Sequence, residues 1–240
     1  MLPPFIMFTI FILNTYRKKN IILYKYRFFT ETAASFLRLI GERDRNNLPS
    51  ERRESLDNGA SSYRRFLDGD DEGIAEIVGD YKDGLMLYLN SLVKNIHTAE
   101  ELTEDTFFRI LMKKPRFSGK SSFKSWLYAI GRNVAVDYIR NESKCAAIPI
   151  EDMESYLSDE YDLERSYIRE ERRIMVHRAL DKLPSDYRQI LWLVYFEDLS
   201  NEEASIVMKK NARQIRNLLY RAKQSMKSEL EKEGFIYEEF

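Results

Sequence analysis

"SNEEASIVMKKNARQIRNLLYRAKQSMKSEL", Ser200 to Leu230, reads as a short helix, a tight turn and a longer basic helix. Ser200 with Glu203 three residues on has the form of a capping box, in which two orphan backbone donors are satisfied reciprocally. "KKN" (Lys209 to Asn211) makes the turn, and Asn211 can cap the second helix, with Gln214 at its third position. Ile215, Leu219, Ala222, Met226 and Leu230 recur at helical spacing as a buried stripe. Arg213, Arg216, Asn217, Tyr220, Arg221 and Lys223 fall largely outside it. A unit of this form is a helix-turn-helix, which lays its second helix in the major groove of duplex DNA. Arg forks to guanine and Gln or Asn to adenine, so Arg213, Gln214, Arg216 and Asn217 have the chemistry to read base edges. The bland alternative is a solvated basic face on a bundle helix. Caps, turn length and charge excess together favour DNA.

Outward from this unit the chain stays helical. "EERRIMVHRALDKLP" and "SDYRQILWLVYFEDL" precede it, divided at Pro184. "YRRFLDGDDEGIAEIVGDYKDGLMLYLNSLV" (Tyr63 to Val93) holds two further helices, with Ile74, Ile77, Val78, Tyr81, Leu85, Tyr88, Leu89 and Leu92 at helical spacing. In "TAEELTEDTFFRILMKK", Thr98 and Glu101 suggest a capping box, and Leu102, Phe107 (or Phe108), Ile110 and Leu111 form the apolar side. Glu100, Glu101, Glu104 and Asp105 crowd its first turns, where they suit the helix dipole. Pro115 ends it. With 9 Gly and 6 Pro in 240 residues, roughly half the usual share of each, an all-α fold of two small domains is expected.

"FSGKSSFKSWLYAIGRNVAVDYIR" (Phe117 to Arg140) carries aromatic surface and cations together. Ser121 or Ser122 can cap a helix running to about Asn141. Phe123, Trp126, Leu127, Ile130, Val134 and Tyr138 share one stripe, and Trp126 is read as core. Lys124, Arg132, Asn133, Asp137 and Arg140 sit off it. Opened nucleic-acid strands are held by cations along the backbone and by surfaces that take unstacked bases. The loop of Lys120, Ser121 and Ser122 beside a rigid helix suits that task.

The formal net charge of −1 hides segregation. Lys113 to Lys144 has eight cations against Asp137 and Glu142, and Leu199 to Lys227 has seven against Glu202 and Glu203. Between them, Ile150 to Glu171 has nine acids against Arg165 and Arg169. Two polyanion-facing modules joined by an acidic, repelling linker explain the pattern. One cysteine, Cys145, and two histidines, His97 and His177, give neither a disulfide nor a zinc set. No metal or cofactor is expected, and the compartment is a reducing cytoplasm. A nuclease would need a carboxylate cluster to hold metal, and the first basic segment offers only Asp137 and Glu142.

With these residues in hand, the chain resembles a bacterial RNA polymerase sigma factor of the small extracytoplasmic-function (ECF) type of the sigma-70 family. "AEELTEDTFFRILMKKPRFSGKSSFKSWLYAIGRNVAVDYIR" is similar to the family's region 2, and "ALDKLPSDYRQILWLVYFEDLSNEEASIVMKKNARQIRNLLYRAKQSMKSEL" to its region 4. The resemblance implies region 2 over 61–142, an acidic linker over 143–169, region 4 over 170–232 and a tail over 233–240. It implies a subunit that is not an enzyme by itself, with core RNA polymerase (clamp and flap) and promoter DNA as partners, and an anti-sigma factor as a further one. Glu101, Leu102, Glu104, Asp105, Phe107 and Arg109 would meet the clamp. The −10 element would meet Phe117, Ser118, Lys120, Ser121, Ser122, Arg132, Asn133, Asp137 and Arg140. The −35 element would meet Arg213, Gln214, Arg216, Asn217, Tyr220, Arg221 and Lys223. The alternative is a stand-alone helix-turn-helix regulator, which leaves the acidic helix and the strand-capture passage unexplained.

Two departures stand out. The family usually has Gly in the helix-turn-helix turn, where this chain has Lys209, Lys210 and Asn211; Asn tolerates a left-handed backbone, so the turn survives at some strain. The family also tends to carry Ser-Arg in place of Asn217-Leu218, a departure that bears on the −35 preference.

Residues 1–60 match nothing in the family and are read as a disordered or non-native extension. "LPPFIMFTIFIL" (Leu2 to Leu13) is uncharged but only twelve residues long, short of the roughly 20 that span a bilayer. Its cations, Arg17 to Lys19, follow the apolar run, the reverse of a signal peptide. Translation is expected to start at or near Leu56. The competing expectation is a membrane-surface anchor, so membrane contact depends on this extension being native.

Overall fold

The computed structural model describes residues 58–145 and 165–235. Among them there are eight α-helices and no strand. They are α1 (Gly59–Leu67), α2 (Glu72–Val93), α3 (Ile96–Lys113), α4 (Phe123–Cys145), α5 (Arg165–Lys182), α6 (Ser185–Leu191), α7 (Asn201–Met208) and α8 (Ala212–Lys232). A π-helical turn, Trp192–Phe196, continues α6. The all-α expectation therefore holds. The N-terminal apolar runs, the proposed start at Leu56 and most of the acidic linker lie outside the described residues.

Local chemistry sets most boundaries. Asn95 caps α3, its side chain accepting from the backbone N–H groups of His97 and Thr98. This corrects the expected box at Thr98–Glu101: the cap falls three residues earlier, because Asn95 has the extended backbone a cap needs. Pro115 stops α3, and Lys114 takes a left-handed conformation at φ 41° to end it. Ser122 caps α4, its carbonyl accepting from Trp126 N and its hydroxyl from Ser125 N. The boxes at Ser200–Glu203 and Asn211–Gln214 are both formed.

In the first half, α1 to α4 pack around Tyr63, Phe66, Ile77, Leu85, Leu89, Ile110, Phe123 and Leu127, all almost wholly buried. The ring of Tyr63 lies 5.6 Å from that of Phe123 and 5.2 Å from that of Trp126, and Phe117 closes the cluster at 5.3 Å from Trp126. Gly73 lets α1 and α2 cross closely, since a β-carbon there would lie 2.2 Å from the carbonyl oxygen of Ser62. In the second half, Val176, Leu180, Ile190, Leu193, Val207, Ile215, Met226 and Leu230 form the core of α5 to α8. Burying a side chain of this size removes roughly 1.5–3 kcal/mol of apolar exposure.

The two halves also pack on each other, α2 against α6 and α4 against α7. That explains why α2 buries Leu85, Met86, Leu87, Tyr88 and Leu89 in succession: it is covered on more than one side. It likewise explains Tyr128, which lies off the predicted α4 stripe yet is 1% exposed.

Candidate nucleic-acid interface

The turn between α7 and α8 puts a basic helix on the surface. Lys209 ends α7 at φ 53°, left-handed backbone in a residue with a β-carbon. The expectation that Asn211 takes glycine's place is thereby corrected. Lys209 carries the left-handed conformation, while Asn211 is extended at φ −77°, ψ 163° and serves as the cap. Ile215, Ala222, Met226 and Leu230 anchor α8 in the core. Arg213, Gln214, Arg216, Asn217, Tyr220 and Arg221 are exposed. Lys223 is half-buried, its ammonium lying over the ring of Tyr195 at 5.7 Å. The outer face of α8 thus presents three guanidinium groups among amides and one aromatic ring, a set suited to phosphates and base edges.

The strand-capture set is split by the packing of the halves. Ser118, Lys120, Asp137 and Arg140 are exposed, and Gly119 at φ 70° shapes the loop that carries the first two. Phe117 is half-buried, edge-on to Phe123 at 81°. Ser121 and Asn133 are half-buried. Ser122 donates to Glu203 Oε1 at 2.6 Å, so the carboxylate that completes the α7 box also grips the loop. Arg132 donates through Nε to Gln189 Oε1 at 3.0 Å.

Between these contacts lies a buried carboxylate. Glu197, 4% exposed, follows the π turn into the space between α4 and α2. Tyr128 donates its hydroxyl to Glu197 Oε2 at 2.6 Å, and the Lys124 ammonium sits 2.9 Å from the same oxygen. Lys124 also donates to the Glu197 carbonyl at 2.8 Å. Gly84 on α2 makes room, since a β-carbon there would lie 2.6 Å from the Tyr128 hydroxyl and 3.1 Å from Glu197 Oε2. A second anchor is Arg188, also buried, whose Nε donates to the Ser91 carbonyl at 2.5 Å. Burial pushes its guanidinium down from the usual arginine range.

On α3, Glu101 and Asp105 are exposed and Glu104 and Arg109 half-buried. Leu102 and Phe107 are 5% and 4% exposed and belong to the core, a correction to their placement on a binding surface. The outward positions are Phe108, 55% exposed, and Met112, 63% exposed. With Glu101 and Asp105 they form one stripe at three- and four-residue spacing. Helical spacing leaves Phe107 and Phe108 open; the register against Leu102 and Ile110 separates them.

Residues 77–145 match the protein family described as Sigma-70 region 2, and residues 173–226 match Sigma-70, region 4. Both are parts of one family, in chain order, and together they cover just over half of the chain. The chain belongs to the sigma-70 family. It is 28% identical over 155 residues to the ECF RNA polymerase sigma factor SigM of Bacillus subtilis, covering 65% of this chain and 93% of that one. It is 26% identical over 175 residues to the RNA polymerase sigma-H factor of Pseudomonas aeruginosa, covering 70% and 91%. The fold is shared with the sigma factor RpoE from Bartonella quintana, solved with the anti-sigma factor NepR, at a TM-score of 0.53 and 21% identity, covering 65% of this chain and 95% of that one. CnrH, solved with the cytosolic domain of CnrY, gives 0.51 and 18%, covering 72% and 95%. For a sigma-70 family chain, the two basic surfaces fall where region 2 and region 4 are matched. Among the described residues no group of His, Cys, Asp or Glu could hold a metal ion, and no helix is long and apolar enough to cross a membrane.

Proposed function

We propose that this chain is the promoter-specificity subunit of a bacterial RNA polymerase, of the extracytoplasmic-function type. It is not an enzyme by itself: it lends sequence recognition to a polymerase that does the chemistry. The reading rests on one observation, that a capped basic recognition helix and a loop-plus-helix suited to an opened strand occur on one chain in sigma-70 order. The α8 face from Arg213 to Lys223 would meet the −35 duplex. The loop Phe117 to Ser122 with Arg132, Asn133, Asp137 and Arg140 would meet the −10 strand. The stripe Glu101, Asp105, Phe108 and Met112 would meet the polymerase clamp. Its place of action is the cytoplasm, and an anti-sigma factor is a further partner in this reading. Because Ser122, Lys124 and Arg132 are engaged by the second half, strand capture requires the two halves to part.

Run-off transcription with purified core polymerase tests the proposal, using a fragment library randomised across the −35 and −10 elements. Transcripts that start downstream of an enriched pair of elements, only when the chain is present, are the expected result. Duplex binding without polymerase binding or transcripts would establish the stand-alone regulator instead.

A further inference from the structure

The cap of α8 changes what the exposed Gln214 amide has to offer. Asn211 Oδ1 accepts from Gln214 N at 2.9 Å, and Asn211 N donates to Gln214 Oε1, also at 2.9 Å. The atom that faces a backbone N–H must be an acceptor, so the Gln214 carbonyl oxygen is the one turned back onto the cap. The amide nitrogen is left outward, with two donor hydrogens and no partner among the described residues, on an exposed side chain at the third position of the helix. A fork onto adenine needs the oxygen and the nitrogen side by side on one base, the oxygen accepting from N6 and the nitrogen donating to N7. With that oxygen held by Asn211 N, the amide forks onto adenine only by sharing the oxygen with the cap or by giving the cap up.

We infer that Gln214 reads DNA as a hydrogen-bond donor alone, and that it selects guanine, whose adjacent N7 and O6 are both acceptors, over adenine. This inference rests on the proposed entry of α8 into the −35 major groove. It also reassigns the residue, since amide chemistry in isolation points to adenine. Arg213 and Arg216 flank it and are donors too, so the N-terminal end of α8 becomes a surface that asks only for acceptors. Guanine supplies the most acceptors of any base in the major groove.

The test uses holoenzyme made from the full chain and core polymerase, with duplexes randomised over the −35 element. Selection is expected to enrich a guanine at one position, and replacing that guanine by 7-deazaguanine should weaken binding by about five- to tenfold, the worth of a hydrogen bond or so. Gln214→Glu keeps a side-chain acceptor for Asn211 N and so keeps the box, but it removes the donor. It should lower affinity on every duplex through its added charge, erase the guanine preference at that one position, and favour cytosine there, whose N4 is a donor. Gln214→Ala should erase the preference without favouring cytosine. An enriched adenine whose N6 amino group matters, shown by loss of binding on a purine-riboside substitution, would overturn the donor-only reading. An unchanged preference in Gln214→Glu would reduce Gln214 to a cap. If Arg213→Ala and Arg216→Ala also leave every −35 preference unchanged, the groove placement of α8 fails with it.

Discussion

Replacing Glu197 by Ala removes the carboxylate on which two residues of the first half converge. Tyr128 Oη at 2.6 Å is buried and loses this hydrogen bond to a charged group, worth about 1.5–3 kcal/mol. Lys124 loses an ion pair at 2.9 Å, but its side chain is 30% exposed and keeps the Glu197 carbonyl, so it regains water and contributes little more. The desolvation of the carboxylate itself is relieved, which offsets part of the loss. The net is about 2 kcal/mol against the closed arrangement, or roughly thirtyfold in the equilibrium between packed and parted halves at 1.4 kcal/mol per factor of ten. Energy transfer between dyes placed on α3 and on α8 of the full chain should report a wider distribution of distances. Small-angle scattering should report a larger radius of gyration. Binding of a single-stranded −10 oligonucleotide should rise, because Ser122, Lys124 and Arg132 are released together. Gly84→Ala should act in the same direction, by wedging a methyl against the Tyr128 hydroxyl. A double-mutant cycle with Tyr128→Phe isolates the contact. Additivity within about 0.5 kcal/mol, with unchanged distances, would refute the role given to this carboxylate.

Phe108→Ser and Met112→Ser should leave thermal stability within about 0.5 kcal/mol of the parent, since both side chains stand in solvent, yet weaken retention on immobilised core polymerase by about 2 kcal/mol. Glu104 and Asp105 changed to Lys should weaken it as well, by placing like charges at the contact; normal retention of all four would remove α3 from the polymerase interface. Phe107→Ala, by contrast, should cost about 3–5 kcal/mol in urea unfolding. Arg221→Ala should lower duplex binding evenly across sequences and reduce the slope of log affinity against log salt by about 1, and a sequence-dependent loss would mean that it reads bases. Burial pushes the Tyr63 hydroxyl up to about 12 and raises that of Tyr88 further. A folded value above the unfolded one means that the unfolded chain releases its protons first. Stability is therefore fully present below about pH 10 and lost as pH rises toward 12. Urea midpoints measured between pH 8 and 11.5 should show that decline, and Tyr63→Phe should flatten part of it.

What the sequence determines by itself is whatever depends on neighbours within about one helical turn. The boxes at Ser200–Glu203 and Asn211–Gln214, the stop at Pro115 and the core stripe of α8 are legible there, because each rests on residues within a turn of one another, and the two basic modules are legible from charge composition alone. The cap of α3 is a near miss of the same kind: both Asn95 and Thr98 are competent, and only the backbone path chooses between them. Tertiary structure decides which of two available faces is buried. Phe107 turns inward and Phe108 outward because α3 meets α2 and α4 in one register. Tyr128, Lys124 and Arg132 look like the solvent side of α4 until α6 and the π turn arrive from some 60 to 70 residues away and put Glu197 and Gln189 against them. Helical periodicity carries no information about a partner that distant. A helix with apolar and charged groups on both sides is therefore resolved only when the second half packs on the first.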